Sequence, residues 1–233
     1  MKAARSPSSL LVLGTTGIIL GALACPVSGN SPCDVSSDAA LATLAEAGEL
    51  QCDLLIQNTA FATLDPLEGV QSTPYNVTLR GNQNLIDASA VAQIRATGLY
   101  VDGNPALPAI TFELDGSVGD FVVAENPALA SVSTPNLVQA SMWAVRDGPA
   151  ESISAAALED VGTLVIKRTG VAELAFPNLR RISTIVINEN TALPAAAVDG
   201  LLEQLEEQPS TIQRCGNLDE KPCPKSEKGE LNP

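Results

Sequence analysis

The chain has 233 residues, with 13 Lys and Arg, 27 Asp and Glu and no His, and its formal net charge is −14. Excess negative charge disfavours binding to nucleic-acid phosphates, and aromatic residues that could stack on bases make up only 3%. The lack of His excludes His-based triads, His-ligated zinc and imidazole acid–base catalysis, while 45% apolar content allows one domain with a core of Ala, Val, Leu and Ile.

Residues 1–24 have the features of an export signal. Lys2 and Arg5 form a short basic start, and residues 10–24 then run without a charge. This apolar run is too short for a membrane span of about 20 residues, but it is typical of a signal peptide. We therefore expect an exported protein.

The end of this signal allows two interpretations. Ala22-Leu23-Ala24 fits an ordinary signal peptidase site, whereas the same residues followed by Cys25 resemble a bacterial lipobox, although Ala22 stands where Leu is usual. We expect Cys25 to be lipidated and residues 25–32 to form a tether. The predicted location is then the outer membrane or cell surface, with a secreted or periplasmic protein as the alternative.

The chain contains five cysteines, and an odd number in an exported protein leaves one thiol over. If Cys25 carries lipid, the other four can form two disulfides, which agrees with an oxidising compartment. Four cysteines allow three pairings, and the sequence does not choose among them. The simplest pairing joins neighbours along the chain, namely Cys33 with Cys52 and Cys215 with Cys223.

The middle of the chain is a repeat with a period of 21–24 residues. Each unit has a short strand with alternating apolar residues: in residues 99–102, Leu99 and Val101 point inward and Tyr100 and Asp102 outward. An Asn follows where the strand bends, and its amide can bind backbone groups that the turn leaves free. Gly148 and Thr169 occupy this column in two units; five units have Asn there, at Asn58, Asn82, Asn104, Asn126 and Asn190.

Such a period predicts stacked coils, because a single coil cannot bury its apolar side alone. The predicted fold class is α/β to mainly β, a single right-handed parallel solenoid of about seven coils over residues 33–223. A β-sandwich is the alternative, but its strands recur every 8–12 residues or so.

Units such as residues 164–182 and 185–193 resemble the repeat of the receptor L-domain family. This family has a leucine-rich-repeat-like solenoid and occurs in receptor ectodomains, fungal wall proteins and bacterial surface proteins. The resemblance covers about residues 33–223 and implies a fold with disulfide-capped ends. With the export signal, it implies a bacterial surface protein of the exported (lipo)protein type.

Both ends of the repeat are predicted to have short helical caps. Residues 37–50 place apolar side chains at helical spacing, with Ser37 or Asp38 as the candidate N-cap and Gly48 as the candidate stop, and residues 195–208 do the same before Pro209. Residues 224–233 are polar and are expected to form a flexible tail.

Two outward columns of the strands form a possible partner face. In related solenoids the sheet face often holds partners, and this face is less acidic than the rest of the chain. The alternative is that β-branched residues lie there because they favour strands. The residues proposed to contact a partner are Tyr100, Val122, Arg146, Val165 and Lys167.

No constellation for catalysis is evident. Asp102 has Arg80 and Ala124 one coil away, so no carboxylate pair is stacked for metal binding or acid–base work. Trp143 is expected in the core. The cluster of Arg168, Arg180 and Arg181 is expected to pair with surface acids, and the glycosylation sequon at residues 76–78 has no meaning in a bacterial host.

The predicted function is therefore display and binding, without catalysis, cofactor or metal. The partner is an unidentified protein or glycan at the cell surface, the membrane is contacted only through a lipid anchor, and no nucleic acid is bound. A structural envelope protein without a dedicated ligand is one alternative. A solenoid carbohydrate-active enzyme is the other.

Overall fold

The structure, a computed structural model, describes residues 32–224. The predicted signal, Cys25, the tether up to residue 31 and the tail from residue 225 lie outside the described residues. The described part contains helices α1 (Asp38–Ala45) and α2 (Ala195–Glu203) and two single-turn 3₁₀ segments, Asp65–Gly69 and Val91–Gln93. The strands are β1 (Cys33–Asp34), β2 (Leu54–Gln57), β3 (Asn76–Arg80), β4 (Gly98–Asp102), β5 (Ala109–Thr111), β6 (Gly116–Ala124), β7 (Ser131–Ser133), β8 (Leu137–Arg146), β9 (Ser152–Ser154), β10 (Asp160–Lys167), β11 (Arg181–Asn188) and β12 (Thr211–Cys215).

Nine of these strands form one parallel sheet in the order β1-β2-β3-β4-β6-β8-β10-β11-β12. The strands that this order leaves out, β5, β7 and β9, form a second parallel sheet, which the repeat analysis did not predict. Each coil therefore contributes one strand to the large sheet, and three coils add a second short strand. A mainly β chain with one large parallel sheet fits a solenoid-like fold.

The register of the large sheet matches the repeat. Val101 pairs with Leu79 on one side and Val123 on the other, and Asp102 lies between Arg80 and Ala124. Inward positions in the same column are buried in every neighbouring coil. The column runs Ile56, Leu79, Val101, Val123, Val145, Ile166 and Ile187.

Aromatic residues also pack in the core: Trp143 is buried as predicted, and three Phe residues, which the expectation of an aliphatic core did not include, lie in the same cluster. Phe121 stacks on Trp143 with ring centroids 5.4 Å apart, and Phe112 and Phe176 meet these two rings edge-on at 5.4 and 5.3 Å. All four side chains are buried. Four of the seven aromatic residues of the chain therefore form one buried cluster. The low aromatic content mainly reflects a surface with few aromatic side chains.

The four longest strands, β6, β8, β10 and β11, span 8 to 10 residues each, although short strands were expected. Burial in β8 explains the difference. Its buried inward residues are Leu137, Ala140, Trp143 and Val145, with spacings of three, three and two, and the outward Ala144 is buried as well. Strict alternation is interrupted near residues 141–142, where Ser141 has no register partner in either neighbouring strand, and we call this interruption the bend. Alternation therefore identifies only the second half of the strand.

Both predicted caps are shorter than expected. Helix α1 begins after Ser37, whose Oγ accepts a hydrogen bond from the Ala40 N–H at 3.3 Å, but it ends at Ala45, before the predicted stop at Gly48. Helix α2 ends at Glu203 rather than residue 208. The Gln204 Nε2 donates to the Phe176 carbonyl at 2.7 Å, which ties the chain to the preceding coil instead of continuing the helix.

Disulfides lie at both ends of the large sheet. Cys33 pairs with Cys52 and Cys215 with Cys223, with Cα–Cα distances of 5.7 and 4.8 Å. The simplest of the three possible pairings is therefore the one that the structure contains. Within residues 32–224, neither helix has the length and apolar character needed to cross a membrane.

Candidate functional site

A ladder of buried polar side chains runs along the coils where the strands end. The Asn82 N–H and Nδ2 donate to the Asn104 Oδ1 at 3.1 and 3.0 Å, and the Asn104 N–H and Nδ2 donate to the Asn126 Oδ1 at 2.9 and 3.2 Å. Each Asn Nδ2 also reaches a carbonyl of the strand one coil earlier, as from Asn104 to Leu79 at 3.1 Å. The ladder therefore satisfies backbone groups that the bend would otherwise leave unpaired.

The predicted column of Asn residues is wrong in its first unit. Asn58 is exposed, and Thr59 occupies the buried position, where its N–H and Oγ1 donate to the Asn82 Oδ1 at 3.1 and 2.8 Å. Asn217, which the repeat alignment omitted, accepts from the Asn190 N–H at 3.0 Å. The ladder is thus Thr59, Asn82, Asn104, Asn126, Gly148, Thr169, Asn190 and Asn217, and Gly148 divides it into two runs.

The residue before each ladder position has a left-handed backbone. Glycine is favoured there because it has no Cβ, yet Glu125 and Arg168 adopt this conformation with φ of 54° and 53°. The full column, with φ between 52° and 67°, is Asn58, Gly81, Gly103, Glu125, Asp147, Arg168, Glu189 and Gly216. Asn58 belongs to this left-handed column and not to the ladder. Asn is favourable at both positions, and for this reason the repeat pattern placed Asn58 in the ladder by mistake.

Charged side chains at these corners pair across coils. Arg168 contacts Asp147 and its Nη1 lies 3.1 Å from the Glu189 Oε2, while the Arg146 Nη1 lies 3.0 Å from the Asp147 Oδ2. Burial of Asp147 raises the pKa of its carboxyl, but hydrogen bonds from Arg168 and Arg146 outweigh it, so the pKa is lowered overall. Arg180 and Arg181 both meet Glu206, and Arg181 also contacts Asp160.

The predicted partner face is a narrow strip on the outer side of the large sheet, and the structure changes its membership. Val165 points outward but is only 7% exposed, because the side chains of neighbouring strands, where it is in register with Ala144 and Val186, shield it. Arg146 is held by Asp147. Val122 and Lys167 are half-buried and remain accessible, and Lys167 has no ion pair within the described residues. We call this the outer strip: Thr78, Tyr100, Val122, Ala144, Val165 and Val186 with Arg146 and Lys167 beside them.

Tyr100 lies across the sheet rather than pointing away from it. Its hydroxyl donates to the Asp120 Oδ2 at 2.8 Å, and its ring covers Gly98, where an added Cβ would lie 2.9 Å from the ring. Burial, followed by the hydrogen bond and the charge of Asp120, raises the pKa of Tyr100 to about 12. Tyr100 is therefore a fixed part of the sheet face.

This geometry predicts the pH dependence of Tyr100. Between about pH 10 and 12 the unfolded chain loses the phenol proton while the folded chain keeps it, so stability falls as pH rises through this window. In a Tyr75→Phe variant, which leaves one tyrosine, ultraviolet absorbance should titrate with a midpoint of about 12. Asp120→Asn should lower that midpoint, and an unchanged midpoint would contradict the assigned hydrogen bond.

A groove of about 930 Å³ runs across the bends of the long strands. Its lining includes a column of small residues, one from each successive coil, together with Gln139, Asp160 and Arg181. The Gln139 Nε2 donates to the Asp160 Oδ2 at 3.2 Å, and Arg181 pairs with the same carboxylate. The small column is Thr97, Gly119, Ser141, Gly162, Ser183 and Ser210.

Close packing between coils explains the glycines in this groove. An added Cβ would lie 2.7 Å from the Thr97 carbonyl oxygen at Gly119 and 2.5 Å from the Ser141 carbonyl oxygen at Gly162. The bend therefore requires small residues, and their lack of bulk leaves the groove open. The groove was missed from the sequence although Thr97, Gly119, Ser141, Gly162 and Ser183 follow the same period of 21 to 22 residues as the Asn column.

The groove and the outer strip are parts of one surface, since the groove lies on the first halves of β6, β8, β10 and β11 and the strip on their second halves. Among the described residues, no group of three or more Cys, Asp or Glu side chains could hold a metal ion. Comparisons with family models, with curated proteins and with solved structures give no match for the chain.

Proposed function

We propose that this chain is an exported, non-catalytic surface protein that binds an extended protein segment or glycan chain across the outer side of its large sheet. In this proposal residues 1–24 are removed, Cys25 anchors the protein through lipid, and residues 33–223 form one right-handed L-domain-like solenoid of about seven coils. The observation that carries it is the groove of about 930 Å³ that crosses successive coils beside the outer strip.

The shape of the groove favours an extended polymer. Neighbouring strands of a sheet lie about 4.8 Å apart, so the six small residues from Thr97 to Ser210 span about 24 Å across the coils. Each step presents a similar small, polar surface, which suits a ligand with repeated units. The groove offers hydroxyl groups at Ser141, Ser183 and Ser210, and Val122 and Lys167 provide an apolar and a cationic contact beside it.

The support of this surface is rigid. The ladder and the close approach of Gly119 and Gly162 to their neighbours fix the distance between coils, so a ligand meets a preformed surface. A preformed site loses less conformational entropy on binding than a mobile one. This is why we place the partner on the sheet rather than on the connecting segments.

Filling the groove should prevent binding. We expect Gln139→Trp to reduce capture of partners from a cell-surface fraction, or binding to polysaccharides on an array, about tenfold, because Gln139 is an exposed strand residue that lines the groove outside the small column, and a large side chain there blocks the groove. Lys167→Glu should give a smaller loss. Thr111→Trp and Lys221→Glu make the same changes at exposed positions outside this surface and should leave capture unchanged.

The possible outcomes separate the functional classes. Binding without turnover of the polysaccharides supports the proposal. Turnover would instead assign a carbohydrate-active enzyme, and the lack of any captured partner would favour a structural envelope protein. Mass spectrometry of the mature N-terminus tests the anchor, and an unmodified residue 25 would contradict it.

A further inference from the structure

The last strand of the large sheet, β12, has an open edge. The opposite edge of the sheet is formed by β1, which is only two residues long, whereas β12 has five residues, and Thr211, Ile212 and Gln213 are exposed. Proteins usually shorten or cover their edge strands, because unpaired backbone groups there can pair with another chain. Among residues 32–224, no strand pairs with β12 beyond β11.

The backbone groups at this edge can be assigned. The Cys215 carbonyl accepts from the Glu189 N–H at 2.8 Å, so Cys215 faces β11. Backbone groups of successive residues in a strand point to opposite sides, and Gln213 and Thr211 therefore also face β11. The N–H and C=O groups of Ile212 and Arg214 point to the open side, where the described residues provide no partner.

Apolar surface accompanies this edge. Ile212 is in register with Ile185, an inward position that is buried, yet Ile212 itself is 42% exposed. Leu218, which forms a bridge with Pro194 in the same coil, is 43% exposed. These are two of the three large apolar side chains that are exposed in the described part. The inward column of the solenoid thus ends without a covering layer.

The charge around the edge selects among possible occupants. Residues 195–224 carry two cations, Arg214, which Asp199 and Glu220 already hold, and the exposed Lys221. The six acids in this segment outnumber the two cations, and since Glu206 is paired with Arg180 and Arg181, the acids without an ion pair among the described residues are Glu203, Glu207 and Asp219. A second copy of this end would bring two acidic surfaces together, whereas a basic strand would be attracted.

We propose that β12 is a docking site for an extended, basic segment of a partner protein, which adds a tenth strand to the sheet. Its backbone pairs with the free groups of Ile212 and Arg214, an apolar side chain covers Ile212, and Lys or Arg side chains meet the surrounding acids. This site lies on the edge of the sheet, and it does not depend on the function proposed for the outer surface.

A proline at residue 212 tests the pairing directly. The Ile212 N–H faces away from β11, so Ile212→Pro removes an edge donor without breaking a bond of the native sheet. The probe is a synthetic peptide of alternating Lys and Val, and its affinity for the full chain is measured by fluorescence anisotropy. We expect at least about a tenfold loss of affinity in Ile212→Pro, little change in Ile212→Val, and no binding of a matched Glu and Val peptide.

Hydrogen exchange keeps the test decisive if Ile212→Pro folds poorly. In the wild-type chain, the peptide should protect the Ile212 and Arg214 amides. Equal binding of the basic and acidic peptides, no binding, or unchanged affinity in Ile212→Pro would overturn the proposal. A dimer in light scattering that Ile212→Pro abolishes would assign the edge to a second copy. Protection of both amides in the free monomer would assign it to the chain's own residues.

Discussion

Replacing Asn104 with Ala should lower the free energy of unfolding by about 3 to 5 kcal/mol, since each buried polar group left without a partner costs about 1 to 3 kcal/mol. The Asn104 side chain is fully buried and makes bonds in both directions along the ladder. Its loss would leave the Asn82 Nδ2 and the Leu79 carbonyl without this partner. Chemical denaturation followed by circular dichroism measures the change.

The matched control is Asn84→Ala, which removes the same side chain from an exposed position. The Asn84 Nδ2 makes one long bond, 3.4 Å, to the Ala60 carbonyl. We expect a loss within about 0.5 kcal/mol, as for most surface substitutions. Similar losses for Asn104→Ala and Asn84→Ala would mean that the ladder contributes little beyond an ordinary surface amide.

Replacing Trp143 with Ala should cost about 3 to 5 kcal/mol, the usual range for truncating a large aromatic side chain in a core. Trp143 is fully buried, stacks on Phe121 and meets Phe176 edge-on. Its Nε1 donates to the Thr134 Oγ1 at 3.2 Å, so the substitution also removes a buried hydrogen bond. The surrounding coils are tied by their own ladders and can collapse only partly into the cavity.

Trp143→Phe separates packing from hydrogen bonding. It retains one ring but no donor for Thr134, so we expect a loss between those of the wild type and Trp143→Ala. Thermal unfolding by calorimetry gives both values. A loss below about 1 kcal/mol for Trp143→Ala would show that the four-ring cluster is not an important part of the core.

The repeat could be recognised from the sequence because the ladder and the inward column follow one period. The first unit was misplaced because each coil has two adjacent positions that Asn can occupy. The first position needs a left-handed backbone, and the second needs a side chain that forms buried hydrogen bonds. Asn58 fills the first and Thr59 the second. A single sequence does not separate these two uses, whereas the register with Asn82 does.

The bends and the second sheet could not be predicted by alternation. At residues 141–142 two successive side chains are not buried, which breaks the two-residue period that identifies a strand. The repeated small residues Gly119, Ser141 and Gly162 were the available signal for a bend. These residues are small because the backbone of the neighbouring coil lies close to them. A local sequence pattern does not give this distance between coils.

The outer strip shows a similar limit. Alternation correctly assigns Val165 to the outer side, but an outward side chain is not accessible where the side chains of the neighbouring strands cover it. Tyr100 and Arg146 are likewise outward, and each is tied to an acid whose position only the fold reveals, Asp120 and Asp147. The groove beside the strip was therefore the larger part of the candidate surface and the part that the sequence did not show.

The most direct test of this account is proximity labelling on intact cells, with the labelling enzyme fused to the full chain. We predict that wild-type chain and Thr111→Trp label the same set of neighbours, and that Gln139→Trp, which places a large side chain in the groove from an exposed strand position, loses at least one of them. An identical set for all three chains would contradict binding through the outer side of the sheet.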